Sequence, residues 1–342
     1  MKFKMKALMG ATALAMLSAT SAFADSHGGG LACLITKNNT NPFFVKMKEG
    51  AEAAATAAGL EFQAYAGEKD GDAAPQITAI ENCVAAGAKG ILITASNDSV
   101  GPALKDARAA GILVIALDTP LADAEAQDMT FATDNFEAGL LIGKWAAATL
   151  GAEGVATAKI GMLDINKDNI SVDVARDTGF LVGFGIEVPD LTVMGSETDP
   201  RVIGHESSGA NPEGGVTSVE NLLAKDPDMN VVYTINEPAA EGAFQALTKA
   251  GKTGVLVVSV DGGCPGIASV KAGVIGATSQ QYPLKMAALG IDAIAAFAKD
   301  GTKPAASEGL TFFNTGVNLV TDKPAEGVPS IDSTKGTELC WG

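Results

Sequence analysis

The chain has 342 residues and carries 24 lysines and arginines against 40 aspartates and glutamates, a formal net charge of −16. That balance excludes nucleic acid and anionic lipid as principal partners, because both are held by an excess of Lys and Arg. The length exceeds one ordinary hydrophobic core and predicts two domains.

In chain order, Lys2, Lys4 and Lys6 precede an apolar run from Ala7 to Met16, and Ala22-Phe23-Ala24 supplies small residues for cleavage. This predicts a signal peptide over 1–24 and a periplasmic protein, the apolar run being short of the roughly 20 residues a bilayer span needs. Cleavage takes three lysines and no acid with it, so the formal charge becomes −19. Cys33, Cys83, Cys264 and Cys340 remain, an even number in an oxidising compartment. Three pairings are open, as are ordinary buried thiols at Cys33 and Cys83. There is no CxxC, and His27 and His205 are the only histidines, so no metal site is expected.

From Leu31 onward, short β-type runs alternate with Ala-rich helical segments, the signature of βα units about a parallel sheet. Strands are expected at 31–36, 60–65, 90–94 and 112–117, then at 158–163, 191–194, 231–234, 255–260 and 276–278. Helices are expected at 42–58, 73–86, 99–110, 135–150, 171–184, 214–225, 237–250 and 283–299. Pro42 and Pro75 stand near helix starts, and Gly59, Gly87, Gly111, Gly151 and Gly251 near ends. Runs such as Gly90-Ile-Leu-Ile-Thr94 are apolar on both faces, as a helix-covered sheet requires. The fold class is therefore α/β. The stretch 195–215 reads as a surface excursion, and the tail 304–342 as short strands, at Phe312-Phe313-Asn314 and Val317 to Val320, with an ordered terminus.

Ligands of open parallel sheets lie off the carboxyl ends of the strands. The residues found there are Asn41, Phe43 and Phe44, then Asp118, Asn236, Asp261 and Gln281, joined by Arg176 near the start of a helix. Carboxylates, amides, a guanidinium and flat aromatic surface together suit a sugar, whose hydroxyls both donate and accept and whose C–H face is apolar. Plainer roles exist for each: a turn or cap for Asp261, an N-cap for Asn41, core packing for Phe43 and Phe44, a surface ion pair for Arg176. Their shared position at strand ends is what favours a site.

Seven segments carry a resemblance to the type I periplasmic sugar-binding proteins, the group of ribose-binding protein, and within it to a fructose-binding branch. They are Thr40-Asn-Pro-Phe-Phe-Val45, Val114-Ile-Ala-Leu-Asp-Thr119, Phe131-Ala-Thr-Asp-Asn135, Arg176-Asp-Thr-Gly-Phe180, Tyr233-Thr-Ile-Asn-Glu237, Val260-Asp-Gly262 and Ala277-Thr-Ser-Gln-Gln-Tyr-Pro283. The resemblance implies two similar Rossmann-like lobes joined by a three-segment hinge, 31–133 with 282–311 and 134–281 with 312–342. It implies a monosaccharide clamped between them, by Asn41, Phe43, Phe44 and Asp118 from the first lobe and Arg176, Asn236 and Asp261 from the second. Gln281 and Thr133-Asp134 would mark hinges, with the third near Phe312, and Asn211 is a further candidate contact. Thr119 stands where ribose binders carry arginine and Ala210 about where they carry an aromatic residue, changes that suit a hexose. Similarity to the fructose branch implies a Cys264–Cys340 disulfide, leaving Cys33–Cys83. The implied partner is the membrane permease of an ABC importer, with no cofactor and a monomeric chain.

Two rival functions are an enzyme acting on sugars and a sensor for a membrane receptor. The chain has no Gly-x-Ser-x-Gly elbow, P-loop or Gly-x-Gly-x-x-Gly turn to support the first. A sugar sensor in the periplasm would use the same cleft.

Overall fold

The computed structural model describes residues 29–342; the expected signal peptide lies outside them. The first sheet is built by β1 (Leu31–Thr36), β2 (Glu61–Ala66), β3 (Gly90–Ile93), β4 (Leu113–Leu117), β5 (Met129–Ala132) and β11 (Phe313–Asn314), in the order β11-β5-β4-β3-β1-β2. All its pairings are parallel. The second contains β6 (Ile160–Asp164), β7 (Val202–Ser207), β8 (Val231–Thr234), β9 (Leu256–Asp261), β10 (Ala277–Gln280) and β12 (Asn318–Val320), in the order β12-β10-β9-β8-β6-β7. Only β12 runs antiparallel, against β10.

Helices cover both faces. Around the first sheet lie α1 (Pro42–Ala58), α2 (Ala74–Ala85), α3 (Gly101–Ala109) and α9 (Pro283–Asp300). Around the second lie α4 (Asn135–Ala156), α5 (Ser171–Phe184), α6 (Pro212–Lys225), α7 (Glu237–Lys249), α8 (Cys264–Lys271) and α10 (Ser333–Leu339). Strand β1 shows why its residues are apolar throughout: Cys33 and Ile35 pack with α2 and α3, while Ala32 and Leu34 pack with α1 and α9. Each such side chain removed from water contributes ~1.5–3 kcal/mol at Leu or Ile size. Cys33 is bonded to Cys83 and Cys264 to Cys340, the pairing that the resemblance implied.

The chain passes between the sheets three times, after β5, after β10, and between β11 and β12. Phe313–Asn314 pairs with β5, so the third passage begins after Asn314 and a boundary at 311 would cut β11 from its sheet.

The expected strand at 191–194 is absent, and the stretch read as a surface excursion holds β7 instead. Leu191 and Val193 are 49% and 40% exposed, and so have no sheet to enter. Strand β7 is an edge strand whose Gly-His-Glu-Ser end carries no apolar run to betray it. Short elements β5, α8 and α10 were also not anticipated. Among the described residues no helix is long and apolar enough to cross a membrane.

Candidate functional site

Eight of the nine expected site residues line one cavity between the lobes. The first lobe contributes Lys37, Asn41, Phe43, Phe44, Asp70 and Asp118; the second contributes Ile165, Val172, Arg176, Ala210, Ile235, Asn236 and Asp261, with Gln281 at the second passage. Asn211 is not among them: it caps α6, accepting from Gly214 N at 2.9 Å, and its amide donates to Gly209 O at 3.0 Å.

The two acids sit on strained backbone. Asp118, one residue past β4, has φ 63°, and Asp261, the last residue of β9, has φ 140°, both in territory that favours glycine. Such strain persists only where surrounding structure enforces it, and it clusters at ligand sites. Asp118 Oδ2 accepts from the Thr119 hydroxyl at 2.8 Å, and Asp261 Oδ1 from Gln281 Nε2 at 2.7 Å. The other amide atom of Gln281, Oε1, is buried without a donor.

Arg176 is buried and anchored from three sides. Its Nε donates to Asn135 Oδ1 at 2.7 Å, Nη1 to Ile235 O at 3.2 Å, and Nη2 lies 3.5 Å from Asp118 Oδ1. A guanidinium fixed in this way presents donors in a set geometry. Asn41 and Asn236 each line the cavity and cap a helix, receiving Phe43 N at 3.0 Å and Ala239 N at 3.1 Å; the cap was expected for Asn41 alone. Phe43 and Phe44 likewise belong to the core of the first lobe and still reach the cavity, their rings edge to face at 5.4 Å. The opposite wall is apolar, from Ile165, Val172, Ala210 and Ile235. Trp341, tied to the second lobe by the adjacent Cys264–Cys340 bond, packs on Phe43 at 5.5 Å and donates to Gln281 O at 2.8 Å.

Three residues at or beside the cavity were not among those expected. Lys37 and Asp70 form a buried pair 3.9 Å apart on the cavity wall, and Asn135 orients Arg176. Burial pushes the Asp70 carboxyl up, with Lys37 opposing and Asp118 adding to the rise. Asp70 follows the end of β2, so the strand-end rule applied to that strand would have found it.

Burial raises Asp261 to about 7 despite the nearby Arg176 charge. Burial and the Asp261 charge raise Glu237, which receives Gly262 N at 2.8 Å, Gly263 N at 3.0 Å and the Thr278 hydroxyl at 2.8 Å, to about 8. Acids whose folded pKa exceeds the unfolded one take up protons on folding, so stability falls as pH climbs through the window between the two. The ligand-free protein is therefore expected to melt at progressively lower temperature from pH 5 to about 8. Glu237→Gln should flatten that profile in a differential scanning fluorimetry series. An equal slope in the variant would remove Glu237 as a cause.

Similarity to known proteins follows the same lines. The ribose import binding protein RbsB of Escherichia coli strain K12 is 28% identical over 290 residues, covering 84% of this chain and 90% of that protein. The D-allose-binding periplasmic protein of the same organism is 28% identical over 299 residues, covering 85% and 90%. An ABC transporter solute-binding protein from Agrobacterium vitis, solved with bound D-fucose, superposes with a TM-score of 0.74 at 23% identity over 92% of this chain and 100% of its own, which speaks to the fold. Residues 32–303 match the periplasmic binding protein domain across both lobes, and the chain belongs to that family.

Proposed function

We propose that the protein captures a monosaccharide between its lobes in the periplasm and delivers it to the membrane permease of an ABC importer. The observation that carries this reading is the composition of the cavity, in which two strained carboxylates, a fixed guanidinium and a free amide oxygen face aromatic and aliphatic walls. The names of the relatives, ribose and D-allose binders, support the same class of ligand.

Fructose is the first candidate sugar, with mannose and ribose behind it. Ala210 forms part of the wall, where its small side chain suits a hexose, whereas Thr119 lies outside the cavity and bonds to Asp118. The bodies that close on the ligand are 31–133 with 282–314 and 134–281 with 318–342, turning about the three passages. Sugar bridges them only when shut, so binding shifts the population toward the closed form. The protein acts as a monomer and as a binder, not an enzyme.

The test is a thermal-shift panel on sugar-stripped protein with fructose, mannose, ribose, glucose, galactose and inositol. A ligand at 100 times its Kd stabilises by ~2.7 kcal/mol, and fructose is expected to give the largest rise, lost in Asp261→Ala. A larger rise with another sugar would correct the choice within the class. No rise with any of them would sink the carbohydrate reading.

A further inference from the structure

The second lobe holds a cluster of ionisable groups that the cavity does not use. Asp164 ends β6, Asp177 lies on α5 and His205 on β7. His205 Nδ1 is 2.9 Å from Asp164 Oδ2 and 3.6 Å from Asp177 Oδ2, and one ligand atom from each residue falls within 4.8 Å of the other two. On the other side of the ring, Nε2 is 3.0 Å from Glu197 Oε1.

Asp177 is the observation that hydrogen bonding leaves unexplained. Its side chain is 1% exposed, and neither oxygen has a hydrogen-bond partner. Besides the imidazole, the Asp164 carboxylate, of the same sign, and the Tyr233 hydroxyl come near enough to share a hydrogen with Asp177 if it is protonated. A buried carboxylate of this kind must be protonated, paired or bound to a metal. Glu197 supplies the arrangement commonly found behind a metal-bound histidine: a carboxylate takes the proton of one ring nitrogen and leaves the other as the ligand.

We propose that Asp164, Asp177 and His205 hold a divalent transition-metal ion through one oxygen of each carboxylate and Nδ1 of the imidazole, with Glu197 orienting the ring. Tetrahedral bonds of ~2.0–2.2 Å to nitrogen and oxygen put neighbouring ligand atoms about 3.3–3.6 Å apart, beside 2.9 and 3.6 Å from Nδ1 to the two carboxylates here, with all three ligand atoms within 4.8 Å. The mixed imidazole and carboxylate donors favour a zinc-like ion over calcium or magnesium. His205, at 19% side-chain exposure, gives the ion a route in from solvent. Bound there, the ion ties α5 to β6 and β7, and α5 also carries Arg176.

The experiment uses the tag-free mature chain, dialysed against chelator and then titrated with zinc chloride by calorimetry, with elemental analysis after removal of excess metal. One zinc per chain and a higher melting temperature are expected. Asp177→Asn and His205→Gln should each weaken binding by at least ~100-fold. Metal-free Asp177→Asn should melt no lower than the metal-free parent, because a neutral amide replaces the unpaired acid, so that lost binding is separated from lost folding. Failure to retain stoichiometric zinc would overturn the proposal in favour of a proton on Asp177. Retention of zinc by Asp177→Asn, or uptake of calcium in its place, would overturn it as well.

Discussion

Replacing Arg176 by alanine is expected to weaken sugar binding by at least ~100-fold, read by titration calorimetry with whichever sugar shifts melting most. The reason is what the guanidinium leaves behind. It is the cation placed against Asp118, at 3.5 Å, and it also acts on Asp261. Without it the two acids face each other in a closed cavity, and the ligand hydroxyls lose their fixed cationic donors. A hydrogen bond to a charged group contributes ~1.5–3 kcal/mol, so losing two gives 3 kcal/mol or more, above a factor of about 100. Arg176→Lys should recover only part, since an ammonium cannot reach Asn135, Ile235 O and Asp118 in one plane. Asn211→Ala, outside the cavity, should leave affinity unchanged. An affinity for Arg176→Ala within about threefold of the parent would take Arg176 out of the site.

The same residues show what could be read from sequence and what could not. Strands buried on both faces announce themselves, as Gly90–Ile93 does, because every position must be apolar. Edge strand β7 needs no such run, and its polar end is satisfied by side chains outside the strand: His205 by Asp164 and Glu197, Glu206 by Lys225. Its register, and with it the buried cluster around Asp177, was therefore invisible. In the cavity, Asp118 and Asp261 were legible because strand ends are fixed places in this kind of sheet. Asp70 falls under the same rule, four residues past the end of β2, but its burial depends on Lys37, which is distant in sequence. Asn135 closes a motif, but its grip on Arg176 joins residues 41 positions apart and so is not visible in it. Helix caps proved no argument against a site, since Asn41 and Asn236 cap helices whose first turns also form the cavity wall.

A second large effect is expected from Gly179→Val, which should lower stability by about 3 kcal/mol and the melting temperature by roughly 6–12 °C. Helices α4 and α5 meet through glycines spaced four apart on each, Gly139 and Gly143 against Gly179 and Gly183. A Cβ at Gly139 would overlap the Arg176 carbonyl oxygen and one at Gly143 that of Phe180; at Gly179 and Gly183 the obstacles are the carbonyl oxygens of Phe136 and Leu140. These are backbone atoms of the facing helix, so no rotamer change relieves them and the helices must part. The separation reaches the site, because α5 carries Arg176 and α4 carries Asn135, which holds it. Sugar affinity is therefore expected to fall in the same variant, although residue 179 does not line the cavity. The smaller Gly179→Ala should lie between parent and valine variant, its steric cost partly offset by alanine's helix propensity, worth ~1 kcal/mol over glycine. A valine variant melting within about 2 °C of the parent would mean that the interface yields at little cost, and that Arg176 does not depend on the close approach of α4 and α5.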